Sequence, residues 1–223
     1  MSMGMTSAPR VATKDAPSWK LVSMMTLAGA LAGLLIVSTY ELTLPRIEHH
    51  QAETMAGAIQ EVLKAPARYD TLYLHGGALV KRLPAGVDAK KTEKVFLGYD
   101  ASGRRVGFAL SAVGVGFQDP MTVMFGYDAA KREVIAMRVI ASKETPGLGD
   151  KIVKDSAFVA EFSPVGAPIN GVKKDRVTKA AGEVVMITGA TVSSRAVIRT
   201  INTAVARWQP LMDAYRDVGG PSS

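Results

Sequence analysis

The chain has 223 residues, is 48% hydrophobic and carries a formal net charge of +7 at pH 7, which is enough apolar material for one globular domain plus a membrane segment and too much for a disordered polypeptide. Having no cysteine, it can build neither a disulfide framework, nor a thiolate metal site, nor an iron–sulfur cluster on its own residues, so any redox group it holds has to be organic. His49, His50 and His75 have no helical i, i+4 spacing and point to no metal site, while Lys90, Lys91, Lys94, Arg104, Arg105, Lys173, Lys174, Arg176 and Lys179 are scattered without interleaved aromatics; that pattern reads as a solvated basic surface facing anionic lipid or an acidic partner, not as a nucleic-acid site.

Residues 1–18 form a polar tail. From Leu21 to Tyr40 the chain runs 20 residues without a charge, which at about 1.5 Å per residue spans a hydrocarbon core of roughly 30 Å. The predicted transmembrane helix, with its flanks, occupies 19–42, and Trp19 and Tyr40 stand where amphipathic rings anchor at the two interfaces. Arg10, Lys14 and Lys20 against Asp15 precede it, and Glu41, Glu48 and Glu53 against Arg46 follow it. The basic side stays in the cytoplasm, so the tail is cytoplasmic and the rest of the chain faces the periplasm or the cell exterior. The run is long for a cleaved signal peptide and lacks a small-x-small site at its end. Gly29 and Gly33 present a small-xxx-small face, which suits a neighbouring membrane helix as well as simple tolerance of glycine.

Pro45 is expected to interrupt this helix. A juxtamembrane stalk helix over 43–66 then resumes the apolar spacing through Met55, Ile59, Val62 and Leu63 and ends at Pro66. The extracytoplasmic domain covers 67–210. Its period shortens in Lys94 to Tyr99, Arg105 to Val113, Met121 to Tyr127 and Glu133 to Ala141, runs rich in Val, Ile, Phe and Tyr that predict strands joined by tight turns. Gly114-Val115-Gly116 lacks the third glycine and following helix of a nucleotide loop and reads as a bulge or turn. In Lys143-Glu144-Thr145-Pro146-Gly147-Leu148-Gly149-Asp150-Lys151 the proline and glycines fix a turn, and Asp150 is placed to cap a helix bearing Ile152, Val153, Phe158 and Val159. Residues 163 to 182 read as a basic loop and Val184 to Ile187 as a last short strand. The tail, 211–223, is polar and expected to fray.

Val197, Ile198, Ile201, Val205 and Trp208 recur at helical spacing, so an amphipathic helix starts near Thr191. At such a start the first amides lack intrahelical partners and the dipole is positive, which suits a phosphate. Gly189 and Ala190 leave no bulk in front, and Arg195 one turn in adds a full charge. The plainer alternative is that Thr191 or Ser193 is an N-cap.

The stretch Thr188-Gly189-Ala190-Thr191-Val192-Ser193-Ser194-Arg195 resembles the flavinylation motif of the FMN-binding domain family, whose threonine carries FMN through a phosphoester; the matching residue is Thr191. The Lys143 to Lys151 stretch resembles a second family motif and lies upstream in the expected order. With the single anchor and the chain length, the resemblance from Leu21 to about Gln209 is to the G component of the Rnf ion-translocating electron transport complex. The C component of the sodium-pumping NADH:quinone reductase shares both motifs and tends to be longer; a cofactor-free anchored adaptor is the other alternative. The resemblance implies an α/β (α+β) fold, with one transmembrane helix followed by a single FMN-binding domain whose mainly antiparallel sheet is flanked by helices. It implies covalent FMN on Thr191 beside Thr188, Gly189, Ala190, Ser193 and Arg195, and a ring-contacting turn of Glu144, Thr145, Gly147, Leu148 and Gly149 whose glycine amides serve the ring carbonyls. It further implies electron relay between ferredoxin and NAD coupled to sodium or proton movement, with no catalytic residue. The implied setting is the bacterial inner membrane, with the other Rnf subunits and a flavin transferase as partners. Where the family usually has an aspartate, three residues before Thr188, this chain has Val185, with Glu183 two positions earlier.

Overall fold

The computed structural model describes residues 17–178 and 180–216 and consists of two compact units, Met1–Gln51 and Ala52–Ser223. Helix α1 (Ser18–Val62) is a single 45-residue helix, and its N-terminal part, wholly exposed, is long and apolar enough to cross a membrane. The expected break at Pro45 is absent, because the proline lies inside the helix. Proline costs a helix one N–H donor, but here the carbonyl it leaves without a partner, on Glu41, is at an exposed position where water can take the bond. The predicted transmembrane and stalk segments are therefore one element.

In the second unit, β1 (Arg68–His75), β2 (Ala78–Val80), β3 (Lys94–Tyr99), β4 (Arg105–Val115), β5 (Pro120–Asp128), β6 (Glu133–Ala141) and β7 (Val165–Gly166) form one sheet of order β2-β1-β3-β4-β5-β6-β7. Every pairing in it is antiparallel. The four strands expected from sequence are its centre. Added to them is the β1–β2 hairpin, whose turn is Gly76-Gly77 at φ 57° and 79°. A Gly-Gly pair between extended runs is a hairpin signal, since both turn residues need positive φ.

Strand residues alternate between two cores. Leu97, Leu110 and Phe125 face helix α4 (Thr191–Ala214), joining Val197, Ile201 and Trp208 in the larger cluster. Their neighbours Phe96, Ala109 and Met124 face the last turns of α1, packing with Ala58, Ile59, Val62 and Leu63. Gly126 permits that approach: a Cβ there would stand 2.1 Å from the carbonyl oxygen of Val62. Leu72 and Leu97 are fully buried, each burial worth about 1.5–3 kcal/mol.

The helix expected after Asp150 is two short ones, α2 (Lys151–Lys154) and α3 (Ser156–Ala160). Asp155 divides them: its backbone is extended and its carboxylate accepts from the amides of Ala157 and Phe158, capping α3. The expected basic loop over 163–182 holds β7, a 3-10 turn over Lys174–Arg176, and β8 (Asn170–Val172), which pairs in parallel with β9 (Glu183–Val185). The C-terminal tail starts later than expected, because α4 passes through Pro210 to Ala214, with Met212 and Tyr215 buried in the larger core. The carbonyl that Pro210 leaves free, on Ala206, is again at an exposed position. The expected tails over 1–16 and beyond 216 lie outside the described residues.

Candidate functional site

Helix α4 begins at Thr191, where the apolar spacing puts it, but no hydroxyl caps it. Its capping residue is Ala190, at φ −129° and ψ 31°, without a side-chain hydrogen bond. The nearby hydroxyls are engaged elsewhere. Thr191 Oγ1 points back at the carbonyl of Ile187 at 3.4 Å. Ser194 Oγ donates to the carbonyl of Ala190 at 2.9 Å and accepts from the amide of Ile187 at 3.2 Å. Ser193 is buried and donates to Glu144. Among the described residues, a helix of 24 residues thus starts without a side-chain cap, its first amides carrying the positive end of its dipole.

Around this start Thr188 and Gly189 are exposed, Ala190 is buried and Thr191 is half-buried. Gly189 takes φ +86°, and a Cβ built on it would stand 4.0 Å from Nζ of Lys151. The ammonium of Lys151 therefore lies beside the threonine stretch. Among the described residues it has no carboxylate partner, whereas Lys154, one turn along, is held by Asp150 at 2.5 Å. Arg195 is exposed and likewise makes no ion pair among the described residues. At the slot of the family aspartate, Val185 donates its amide to Oε2 of Glu161 at 3.4 Å, so a carboxylate from the end of α3 does reach this strand.

The second stretch is organised by Glu144, which is only 6% exposed. Its Oε1 accepts from the amide of Phe117 at 2.6 Å and its Oε2 from the hydroxyl of Ser193 at 3.1 Å, while its own amide donates to Ser142 Oγ at 3.2 Å. A Cβ at Gly116 would fall 2.0 Å from Oε1, and one at Gly149 2.3 Å from Oε2. Two glycines and two donors thus form a cradle for one carboxylate. A third glycine of the region answers to α4, since a Cβ at Gly114 would stand 1.8 Å from Oγ1 of Thr200. Gly114-Val115-Gly116 is therefore a strand end kept bare for its neighbours; only from Gly116, whose amide donates to the carbonyl of Asp119 at 3.0 Å, does the chain turn.

Within the turn, Leu148 donates its amide to Thr145 at 3.2 Å and Gly147 takes φ +81°. Asp150 does not cap α2. Its Oδ1 accepts from the amide of Gly147 at 2.7 Å and its Oδ2 from Lys154. The Lys154 ammonium and the Gly147 amide hold its carboxyl below the usual aspartate value of 3.8. The Gly147 amide, expected to serve a ring carbonyl, is here engaged by Asp150. Thr145 gives its hydroxyl to Oε1 of Gln118 at 2.9 Å, and Leu148 stays 57% exposed.

The structure thus joins Glu144 directly to Ser193, which lies 49 residues further along the chain, and sets Lys151 beside Gly189. Two residues the sequence reading left out of the site, Phe117 and Lys151, stand at its two ends. The signal for the first was the glycine pair before it, the mark of a close approach as well as of a turn.

Residues 116–206 match the FMN-binding domain family, a span that opens at the Gly116 cradle and takes in both stretches. Over 186 residues the chain is 28% identical to the G component of the ion-translocating oxidoreductase complex of Methanosarcina acetivorans, covering 83% of this chain and 92% of that one. It is 28% identical over 184 residues to the corresponding G component of Aliivibrio fischeri, covering 82% and 86%. Among solved structures, NqrC of Shewanella oneidensis superimposes with a TM-score of 0.61 at 13% identity, over 73% of this chain and 98% of that one. The C component of the Na(+)-translocating NADH-quinone reductase from Parabacteroides distasonis gives 0.51 at 19% identity, over 68% and 80%. The likeness to these two reductase components is one of fold. To the G component of ion-translocating oxidoreductase complexes the chain is similar in sequence, over most of its length.

Proposed function

We propose that this chain is the flavoprotein subunit of an Rnf-type ferredoxin:NAD oxidoreductase, anchored by α1 with its N-terminus in the cytoplasm and its sheet domain in the periplasm, and carrying FMN on Thr191 through a phosphoester. The observation that carries this reading is the start of α4, without a side-chain cap, at a threonine that lies within the FMN-binding match and two residues after Gly189, beside which stands the Lys151 ammonium, unpaired among the described residues. When bound, FMN supplies the electron-carrying chemistry, accepting electrons from one neighbour and returning them to another.

The residues of the chain bind and orient. Thr191 supplies the oxygen of the ester. The first amides of α4 and the charges of Lys151 and Arg195 meet the phosphate. Gly189, at a backbone conformation that only glycine adopts freely, leaves its approach open. Glu144 fixes the Glu144 to Gly149 turn to α4, so the segment that sets the ring's surroundings cannot drift from the one that holds the phosphate. A covalent tether suits a compartment that makes no flavin, because an ester cannot dissociate. In this reading the attachment is made by a separate flavin transferase, and the electrons pass to other members of the complex.

Co-expression with a flavin transferase tests the reading. Intact mass should rise by one FMN less one water, and the protein band should fluoresce after denaturing electrophoresis. Thr191→Ala should abolish both and leave the melting temperature unchanged. Labelling that persists in that variant, or that maps to Thr188 or Ser193, would refute the assignment, and a chain that never acquires flavin would favour the cofactor-free adaptor.

A further inference from the structure

We infer that the edge of β4 from Ser111 to Val115 takes an extended segment of another protein as an added strand, one that alternates apolar and acidic side chains. The inference stands apart from the flavin and names a docking surface on the sheet itself.

The two neighbours of β4 do not accompany it equally far. β5 pairs with it to its end, where Val115 faces Pro120, whereas the register with β3 reaches only to Phe96 and Ala109. Beyond that point β3 and β4 part. Glu93 keeps its place beside β1, its carbonyl accepting from the amide of Leu74 at 2.9 Å, while Ser111 to Val115 run on with β5 alone. In an antiparallel ladder successive residues turn their backbone groups to opposite sides. Gly116 donates its amide to Asp119, just before β5, and the carbonyl of Val115 turns the other way, to a guanidinium nitrogen of Arg199 at 3.0 Å. Val113, two residues before Val115, therefore aims its amide and carbonyl into the gap as well. An open edge of this kind is a template for a further strand.

The gap is a groove of about 730 Å³, walled by Thr92 to Lys94 on one side and Ser111 to Val115 on the other, with α4 along it. Its two faces differ in chemistry. Val113 and Val115 lie on the face by which Ala109 meets α1, and they are left 71% and 66% exposed. From the other face α4 presents Arg199, Thr203 and Arg207. Arg207 is neutralised by Glu93 at 2.5 Å, but Arg199 and Lys94 make no ion pair among the described residues, so the groove is left positive. A strand laid in it would cover the two valines with every second side chain and turn the intervening ones toward α4. Acidic residues suit those positions, because the strand's amide can take over the Val115 carbonyl and release Arg199 to a carboxylate. A second copy of this chain is a poor occupant, since its own edge would set another Arg199 and Lys94 against these.

Hydrogen exchange reads the edge directly. The full chain, in detergent, should be mixed with a capped peptide of about six residues, a usual strand length, alternating valine and glutamate. The Val113 amide should exchange about tenfold more slowly in the complex, while the Gly114 amide, which already faces β5, stays as it was. Two further peptides separate the contributions. Methylating the peptide nitrogens that would face β4 keeps charge and apolarity but removes the donors, and replacing glutamate by lysine keeps the backbone but reverses the charge; each should weaken binding about tenfold or more. A Val113 amide unchanged at millimolar peptide would overturn the inference. So would equal binding of the methylated peptide, because backbone pairing would then contribute nothing. A Val113 amide already protected in a dimer without peptide would give the edge to a second copy and overturn it too.

Discussion

The threonine stretch and the Glu144 turn meet at one hydrogen bond, yet they are held by different means. The start of α4 is fixed locally: Ser194 ties Ala190 and Ile187, residues within one or two turns of it, and Gly189 turns the chain just before the helix. The turn is fixed from a distance, by a carboxylate reaching a strand end 27 residues earlier and a helix 49 residues later. A locally held segment keeps its shape when a remote contact is lost. One held at long range does not, so substitutions at the cradle should disturb the turn and leave the start of α4 in place.

The largest effect expected from this difference is that of Gly116→Ala. Its methyl would stand 2.0 Å from Oε1 of Glu144 and 2.9 Å from the carbonyl oxygen of Asp119, and a buried, doubly bonded carboxylate has nowhere to retreat. Overpacking of this kind costs about 1–3 kcal/mol, and uncoupling the carboxylate adds the loss of its hydrogen bonds. Gly147→Ala serves as the control within the turn itself: its φ of +81° is strained for alanine but nothing lies within 4 Å, so only about 1 kcal/mol should be lost. Urea unfolding of the 52–223 unit would rank them. Equal costs at the two positions would mean the cradle is not what holds the turn.

Next comes Glu144 itself. Glu144→Ala would leave the half-buried Phe117 amide and the buried Ser193 hydroxyl without their acceptor, at about 1–3 kcal/mol. Glu144→Gln keeps the shape and one acceptor oxygen, so stability should fall less while the charge disappears. With FMN on Thr191, removing a negative charge near the ring should raise the midpoint potential, because reduction adds electrons that the carboxylate repels. Redox titration of the flavinylated parent and Glu144→Gln decides this. An unchanged potential would confine Glu144 to holding the turn.

Much of this architecture is legible from the chain alone, for identifiable reasons. The central strands and the face of α4 announce themselves by period, since Leu97, Leu110, Val197 and Ile201 repeat at the spacing of the element that buries them. Polar connections do not. Asp150 and Asp155 both look like helix caps, and only Asp155 is one; which aspartate caps depends on whether an ammonium, here Lys154, claims the other. Glu144 was legible as a motif residue but not as a buried one, because the groups that satisfy it come from the end of β4 and from α4. The two prolines inside helices mislead for a related reason: sequence shows the lost donor and hides that the orphaned carbonyl is solvated.

The smallest effect expected is one of pH, and it again separates the two stretches. Asp150 closes the turn by accepting the Gly147 amide while it holds Lys154. The Lys154 hydrogen bond, followed by the Gly147 amide, holds its pKa below 3.8 in the folded chain. A depressed folded pKa means that Asp150 contributes its stabilisation above the unfolded value near 3.8 and loses it as pH falls through the lower folded value. Acidification should thus loosen the Gly147 amide before it touches the Ser194 amide, which donates to Ala190 in a stretch whose own side chains there are hydroxyls. Amide exchange in the 52–223 unit, followed downward from pH 5, should show protection of Gly147 falling first. Asp150→Asn should show that lower protection already at pH 5 and little further change, since its amide oxygen can still accept from Gly147 but no longer draws Lys154 in. Parallel loss at Gly147 and Ser194 would mean the two stretches open as one.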